Sequence, residues 1–307
     1  MSERNQSPST PPSTPPSSGE FESDWSDSDD EVPTEPAYSI EEMAEIFLDF
    51  YNFLKTIHFR DVNLKMPPPG GWPNIPKSIA SPKSDRVYEV IRHLPYFDDA
   101  PEALLHYKSR LLDYTRMSLR DVEEEFGMMG DLLDDAHYSE RRRMDIDIPD
   151  TFPFSHGWES GGKAMYFNVW DGEISEENLR MDSGSPIDMR TYFDQLRGHF
   201  ENLRLIPCYN REILDDLVPE HTGVITEEQV LSQEAEWWGT ALDVQYIRQL
   251  YREFGWPHAF RKDEAIQAVD ELMEKLKDKR YDWGVGNTCY ENGPYYHRDS
   301  STGDNPR

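Results

Sequence analysis

Residues 66–97 read MPPPGGWPNIPKSIASPKSDRVYEVIRHLPYF, and this stretch organises the rest of the chain. Its three consecutive prolines hold the backbone extended, and the Gly-Gly pair that follows permits a reversal that directs Trp72 towards the core. Ser84 is a suitable N-cap for a short helix, and Pro95 ends that helix. The apolar residues between them recur at helical spacing: Val87, Val90, Ile91 and Leu94. The stretch therefore predicts a rigid turn that leads into a short amphipathic helix.

The chain of 307 residues is strongly acidic, with 31 Lys and Arg against 60 Asp and Glu and a net charge of -29. A field of this sign repels phosphate backbones and anionic lipids, so direct nucleic-acid binding is not expected. The composition is 36% hydrophobic and 12% aromatic, which is enough for a substantial core.

Cysteine content and hydropathy bear on the compartment. The two cysteines, Cys208 and Cys289, are too few for a disulfide framework, and no histidine follows them at metal-ligand spacing. No stretch approaches the roughly 18–20 apolar residues of a membrane span. We therefore expect no metal, no cofactor and no membrane insertion, and a location in the cytoplasm or the nucleus.

Residues 1–37 form a Ser/Thr/Pro-rich acidic tail, in which residues 1–36 hold one basic residue and nine acidic ones. Such a segment buries too little apolar surface to offset its ordering entropy, so we expect it to be disordered. Five hydroxyl groups precede a proline or have an acidic residue three positions on, which suits proline-directed and acidophilic kinases. These candidate phosphorylation sites are Ser7, Thr10, Thr14, Ser26 and Ser28. The alternative is a solubilising tail without a regulatory role.

The predicted core domain, residues 38–207, begins with a capping box at Ser39 and Glu42. The helix that follows has one apolar face, interpreted as core rather than as a partner groove: Met43, Ile46, Phe47, Phe50, Phe53, Leu54 and Ile57. Pro101 predicts a further helix that contains Leu104, Leu105, Leu111 and Leu112, although residues 106–115 are also compatible with a strand. Another helix is expected after Ser118, with Leu119, Val122 and Phe126.

The clearest strand signal is residues 164–174, AMYFNVWDGEI, in which Asp171-Gly172 is a hairpin turn. Ser185 and Pro186 are predicted to begin the next helix, and Leu205-Ile206 to leave it as an extended segment. The apolar residues of that helix are Met189, Tyr192, Phe193, Leu196, Phe200 and Leu203.

Residues 208–290 are predicted to form a helical region packed on the core, and residues 291–307 to be frayed. Thr226 with Gln229 begins one helix, and Gly255 ends a second as its C-cap. The apolar residues of the second and of a third helix are Leu242, Tyr246, Ile247, Leu250, Tyr251 and Phe254, then Ile266, Val269, Leu272, Met273 and Leu276. Four cations follow at the end of the third helix, where its dipole favours positive charge: Lys275, Lys277, Lys279 and Arg280. The predicted class is helix-rich α+β, with a small antiparallel sheet packed on helices.

Five sequence blocks occur together: PPPGGWPNI, RHLPYF, YFNVWDGEI, MRTYFDQLRGHFENLRLIP and LYREFGWPHAFRKDEA. With them, residues 40–275 resemble a family of uncharacterised proteins from filamentous fungi. The hairpin followed by a Phe-rich helix also resembles the SUKH superfamily of α+β interaction domains, found in fungal cell-wall regulators and bacterial immunity proteins. That second resemblance implies a protein-binding scaffold with a sheet packed on helices.

The sequence contains none of the HExxH, GxSxG, GxxxxGK[ST] or strand-linked GxGxxG motifs. The candidate binding residues lie at two Gly-Trp-Pro units: Trp72, Arg92 and His93 at the first, and Trp256 and His258 at the second. Arg92 and His93 end a helix, where a cation offsets the dipole. Two interpretations remain open, namely a shared pocket lined by Trp and His, and two turns whose indoles fill the core.

These patterns favour a non-catalytic interaction or scaffold protein that binds a partner with a basic or aromatic surface, with the acidic field increasing the encounter rate. The alternative is an enzyme or accessory factor that acts on a small metabolite in the Trp/His pocket. A third hypothesis, mimicry of nucleic acid, requires acidic residues along one face.

Overall fold

Seven α-helices and ten β-strands make up the described part of the chain, and the predicted α+β class is confirmed. The computed structural model describes residues 35–57, 64–80, 83–98, 103–134, 148–157, 162–178, 185–208, 214–215, 221–236 and 239–280. The five candidate phosphorylation sites, Cys289 and residues 291–307 lie outside these ranges, so those predictions stay predictions.

The helices alternate with strands in the first two thirds of the chain and then follow one another. They are α1 (Ile40–Ile57), α2 (Asp85–His93), α3 (Leu119–Asp134), α4 (Met189–Glu201), α5 (Glu227–Leu231), α6 (Ala241–Glu253) and α7 (Lys262–Leu276). Short 3-10 turns occur at Lys77–Ala80 and Ile148–Asp150.

Six strands form an antiparallel meander in sequence order, and two short pairs stand apart from it. The meander contains β3 (Leu104–His106), β4 (Ser109–Leu111), β5 (Thr151–Gly157), β6 (Lys163–Asn168), β7 (Glu173–Asn178) and β8 (Ile187–Asp188). The pairs are β1 (Leu64–Lys65) with β2 (Tyr96–Phe97), and β9 (Leu205–Ile206) with β10 (Leu214–Asp215). The predicted hairpin is the β6–β7 pair, in which Phe167 lies opposite Ile174.

Phe47 of α1 lies at the centre of the core, between the sheet and α4. Its ring centroid is 5.4 Å from that of Phe154 in β5, 5.6 Å from Phe167 in β6 and 5.1 Å from Phe193 in α4. All three contacts are edge-to-face, the arrangement that the aromatic quadrupole favours. The aromatic face of α1 is therefore core, as predicted.

Local sequence signals place most helix starts correctly. Ser39 and Glu42 form both hydrogen bonds of the capping box, and Ser84 accepts from the Val87 N–H. Thr226 and Gln229 form the same box at α5. Gly172 turns the β6–β7 hairpin with φ of 69°. These signals act over three or four residues, so they do not depend on the rest of the fold.

Two predictions in the core domain were wrong. Residues after Pro101 form β3 and β4 rather than a helix, so the strand alternative for residues 106–115 is confirmed by β4. The hairpin turn at Tyr107 and Lys108 lets β4 pair with β5 and buries both faces of the leucine-rich strands. Helix α4 is capped by Asp188, which accepts from the Thr191 N–H, and not by Ser185. Ile187–Asp188 instead pairs with β7, so the helix begins only after that strand.

Polar side chains of α6 and of the residues that follow α7 are buried, contrary to the prediction for Arg280. Arg280 is fully buried and its Nε lies 2.5 Å from Asp243 Oδ2 in α6, so it does not act as a surface cation at the end of α7. The buried face of α6 also contains Arg248, whose Nε donates to the Leu203 carbonyl at 3.3 Å. Polar groups thus tie the C-terminal helices together and to the end of α4.

The residues that precede α1 are fixed to the turn of the β6–β7 hairpin. The Ala37 N–H donates to the Trp170 carbonyl at 2.9 Å, and the Tyr38 hydroxyl donates to Asp188. Arg86 of α2 donates to the Tyr38 carbonyl from Nη2 and to the Val169 carbonyl from Nε at 2.9 Å. The Tyr38 ring packs so closely over the turn that a side chain at Gly172 would clash with it. We call this arrangement the N-terminal clasp.

Candidate functional site

The first Gly-Trp-Pro unit is a turn fastened to the end of α2. The Gly71 N–H donates to the Pro68 carbonyl at 2.9 Å, and Gly70 has φ of 85°, as the third residue of a type II turn requires. Trp72 is half-buried, and its Nε1 donates to the Leu94 carbonyl at 2.9 Å. The indole therefore packs on the core with its polar atom satisfied.

Arg92 and His93 serve this turn rather than an open site. Arg92 donates from Nη2 to the Gly70 carbonyl at 2.6 Å and from Nε to the Trp72 carbonyl at 3.4 Å. His93 Nδ1 lies 2.7 Å from the Glu89 carbonyl oxygen, within its own helix. Both side chains are partly exposed, yet their described contacts are with the turn and with α2.

The second Gly-Trp-Pro unit closes the end of α4. Trp256 is 8% exposed, and its Nε1 donates to the Phe200 and Glu201 carbonyls at 3.1 and 3.0 Å. These carbonyls belong to the last turn of α4, and the Phe200 carbonyl also accepts the Leu203 N–H at 2.9 Å. The neighbouring His258 is exposed. Trp256 thus acts as a buried cap for another helix.

The structure brings Trp72, Arg92 and His93 together, and separately Trp256 and His258. None of the described hydrogen bonds or ring contacts joins the two groups: Trp72 packs near Tyr96, whereas Trp256 packs against Tyr251 and Phe260. The predicted pocket between the two tryptophans therefore has no contact to support it in the described ranges.

A buried Glu-His pair is the arrangement most similar to catalytic chemistry, and sequence analysis did not predict it. Glu125 Oε1 of α3 lies 2.7 Å from His156 Nδ1 of β5, with side chains 3% and 8% exposed. A carboxylate at Nδ1 can orient a histidine as a general base. Both side chains are buried between α3 and the sheet, and the pair joins α3 to β5.

The outward face of α7 carries a shallow, open depression of about 640 Å³, lined by residues of this helix. Its opposite face is buried through Val269, Leu272 and Met273, so the helix is amphipathic. The groove residues recur at the three- and four-residue spacing of one helix face: Asp263, Ile266, Gln267, Asp270, Glu271, Glu274 and Lys275. We call this surface the α7 groove.

The charge of the α7 groove is negative, with four carboxylates against the ammonium group of Lys275, although one of the four, Glu274, pairs with Lys277. Lys275 Nζ is itself 2.5 Å from Glu227 Oε1, and that hydrogen bond raises its pKa. Lys275 is therefore already neutralised by a carboxylate outside the groove. The sequence carries a signal for this face, since acidic residues recur every three to seven positions along α7.

The buried interior does not account for the excess of negative charge. Its formally charged residues cancel, four against four: Lys108, Arg110, Arg248 and Arg280 against Asp113, Glu125, Glu177 and Asp243. The net charge of -29 therefore lies on more accessible residues or outside the described ranges. An approaching partner meets this field before it makes any contact.

Within the described ranges, His, Cys, Asp and Glu side chains form no group of three that could hold a metal ion. No helix there has both the length and the apolar composition that crossing a membrane requires. Comparison with models of known protein families, with curated proteins and with solved structures finds no match. The resemblances to the fungal family and to SUKH domains thus stay predictions.

Proposed function

We propose that this chain is a non-catalytic interaction protein that binds a basic segment of a partner protein through the α7 groove. The observation that supports it is the row of carboxylates along one exposed helix face, around the apolar side chain of Ile266. Lys or Arg side chains of a partner would pair with these carboxylates, and an apolar residue beside them would contact Ile266. We expect this function in the cytoplasm or the nucleus.

Electrostatic attraction to this surface predicts strong dependence on ionic strength. The Debye length is about 8 Å at 0.15 M salt and about 3 Å at 1 M, so steering by exposed carboxylates fades over this range. Binding in a closed apolar pocket would respond little to the same change. Salt dependence therefore separates this proposal from the metabolite-binding alternative.

The test is affinity capture from a native lysate with the full chain, read by quantitative mass spectrometry. The groove variant is Asp263→Lys with Glu271→Lys, since both residues are exposed in α7. The matched control is Glu45→Lys with Glu123→Lys, which changes the net charge equally at exposed positions on α1 and α3. Both variants keep the buried side chains unchanged.

We expect a partner that the wild type and the control retain, that the groove variant loses, and that high salt elutes. If the groove variant and the control retain the same proteins in the same amounts, the α7 groove is not the binding surface. If no protein is retained in a salt-dependent manner, the interaction function itself is wrong.

A further inference from the structure

The proline run before Trp72 lies on the surface of the molecule. Met66 is 51% exposed, one of three large exposed hydrophobic side chains in the described ranges, and Pro68 and Pro69 are exposed beside it. Pro67 between them is partly exposed. We call residues 66–69 the proline ridge. An apolar strip with this degree of exposure is a candidate contact surface.

Sequence alone restricts the conformation of the proline ridge. Each proline fixes its own φ near -65°, and each residue that precedes a proline is restricted to extended or polyproline II geometry. Three residues therefore complete about one turn of a polyproline II helix. The turn closed by the Gly71 N–H on the Pro68 carbonyl, at 2.9 Å, then ends the ridge.

The residues that flank the proline ridge on both sides are fixed by hydrogen bonds to the rest of the fold. On one side, Lys65 pairs with Tyr96 in the β1–β2 ladder, and its Nζ lies 2.6 Å from Asp113 Oδ2. On the other side, Arg92 donates to the Gly70 carbonyl at 2.6 Å. The conformational entropy of the proline ridge is thus lost on folding, so binding of a partner does not have to order it again.

Apart from the Met66 N–H, the backbone polar groups of the proline ridge are carbonyl acceptors. Prolines have no N–H, and among the described contacts the carbonyls of Met66 and Pro67 accept no hydrogen bond. A complementary surface must therefore offer aromatic rings for the pyrrolidine faces and N–H or O–H donors for the carbonyls. Grooves lined by Trp and Tyr provide both, and this is how polyproline II segments are recognised.

We propose that the proline ridge, residues 66–69, is a docking surface for a protein domain with an aromatic-lined polyproline-binding groove. The ridge is separate from the α7 groove, and contacts with its pyrrolidine rings do not depend on the charge of the chain. The proposal therefore stands or falls independently of the function above.

The test measures binding of the full chain to a panel of purified SH3, WW and EVH1 domains by fluorescence polarisation. The tail contains a second proline run, so the reference protein has Pro11, Pro12, Pro15 and Pro16 replaced by Ala. In this background Pro67→Ala with Pro68→Ala removes two rings of the ridge, and Met66→Ser removes its exposed apolar side chain. The control is Pro76→Ala, an exposed proline outside the ridge.

We expect the reference protein to bind at least one domain of the panel. The double proline variant and Met66→Ser should each weaken that binding about tenfold or more, with melting temperatures close to that of the reference, and Pro76→Ala should leave it unchanged. Absence of binding by the reference protein would overturn the proposal. So would equal affinity of the reference and the double proline variant.

Discussion

Replacement of Arg280 by Met should remove much of the stability of the C-terminal helices. Arg280 Nε lies 2.5 Å from Asp243 Oδ2, and both side chains are 0% exposed. Its Nη1 also donates to the Glu234 carbonyl at 2.9 Å, which ties the segment before α6 to the end of α7. Methionine keeps the length of the aliphatic stem, so the change removes the charge and the donors with little change of volume.

The expected loss of stability in Arg280→Met is set by the Asp243 carboxylate, which stays buried without its partner. Without Arg280, the Asp243 carboxylate keeps only the Thr240 N–H at 2.8 Å and Gln233 Nε2 at 2.6 Å, both neutral donors. Removal of one member of a buried ion pair typically costs about 3–5 kcal/mol. This loss is a large share of the free energy of unfolding of a typical protein, which is roughly 5–15 kcal/mol.

The assay is urea unfolding at neutral pH, followed by tryptophan fluorescence and far-UV circular dichroism. Asp243→Asn keeps an acceptor for the Thr240 N–H while removing the charge, so the double variant with Arg280→Met should lose less than the two single losses added together. Lys277→Met is the control, because the Lys277–Glu274 pair is exposed at the same helix end and should contribute little. Equal midpoints for Arg280→Met and Lys277→Met, or strictly additive single losses, would refute this reasoning.

Three further predictions concern single sites. Burial holds the pKa of His106 well below 6.5 in the folded protein. The neutral, buried histidine therefore contributes fully to the free energy of unfolding above about pH 6.5. This contribution is lost as the pH falls towards the folded-state pKa, by up to about 1.4 kcal/mol per pH unit. His106→Asn, which keeps an acceptor in place of Nδ1, should flatten that slope in urea titrations between about pH 7.5 and pH 5.5, and an unchanged slope would exclude His106 as its source. Trp256→Ala should cost about 3–5 kcal/mol and Trp72→Ala, half-buried, about 1–3 kcal/mol, so the reverse order in thermal melts would contradict the packing described above. Gly255→Ala should destabilise by more than 1 kcal/mol, since its φ is 85° and a Cβ would meet a backbone carbonyl oxygen at 2.4 Å. Gly198→Ala, with open space inside α4, should stabilise by about 0.5–1 kcal/mol, and similar melting temperatures for the two glycine variants would be inconsistent with this strain.

Helices and their starts could be predicted because the signals that define them are local. The capping boxes at Ser39 and Thr226 involve residues three positions apart, and the apolar faces of α1 and α7 repeat within one helix. The hairpin turn at Gly172 was predicted for the same reason. In each case the information lies within a few residues along the chain.

Strand β5 gave no such signal. All seven of its residues are buried, so TFPFSHG shows no polar-apolar alternation, and Pro153 in its centre argues against a strand. The structure accommodates Pro153 where the register with β6 shifts. Pairing with β4, more than 40 residues earlier, establishes the strand, and such long-range pairing has no local trace in the sequence.

In the candidate sites, too, local features could be predicted from the sequence and long-range contacts could not. Trp72 and Trp256 were correctly identified as turn residues, but which carbonyls their indoles bind depends on α2 and α4. The pairing of Asp243 with Arg280 joins residues 37 positions apart, so no motif reveals it. The acidic face of α7 could be found from sequence, because it repeats with the helix period.

The N-terminal clasp has a mechanical consequence. Tension applied to the chain at Glu35 would load the hydrogen bond from the Ala37 N–H to the Trp170 carbonyl, the one from Arg86 to the Tyr38 carbonyl and the one from the Tyr38 hydroxyl to Asp188. The pull reaches Ala37 first and Tyr38 next, so these contacts must break before it reaches Ile40 and begins to unwind α1. The N-terminal clasp thus anchors the chain ahead of α1, so a force on Glu35 acts on the clasp before it acts on the core.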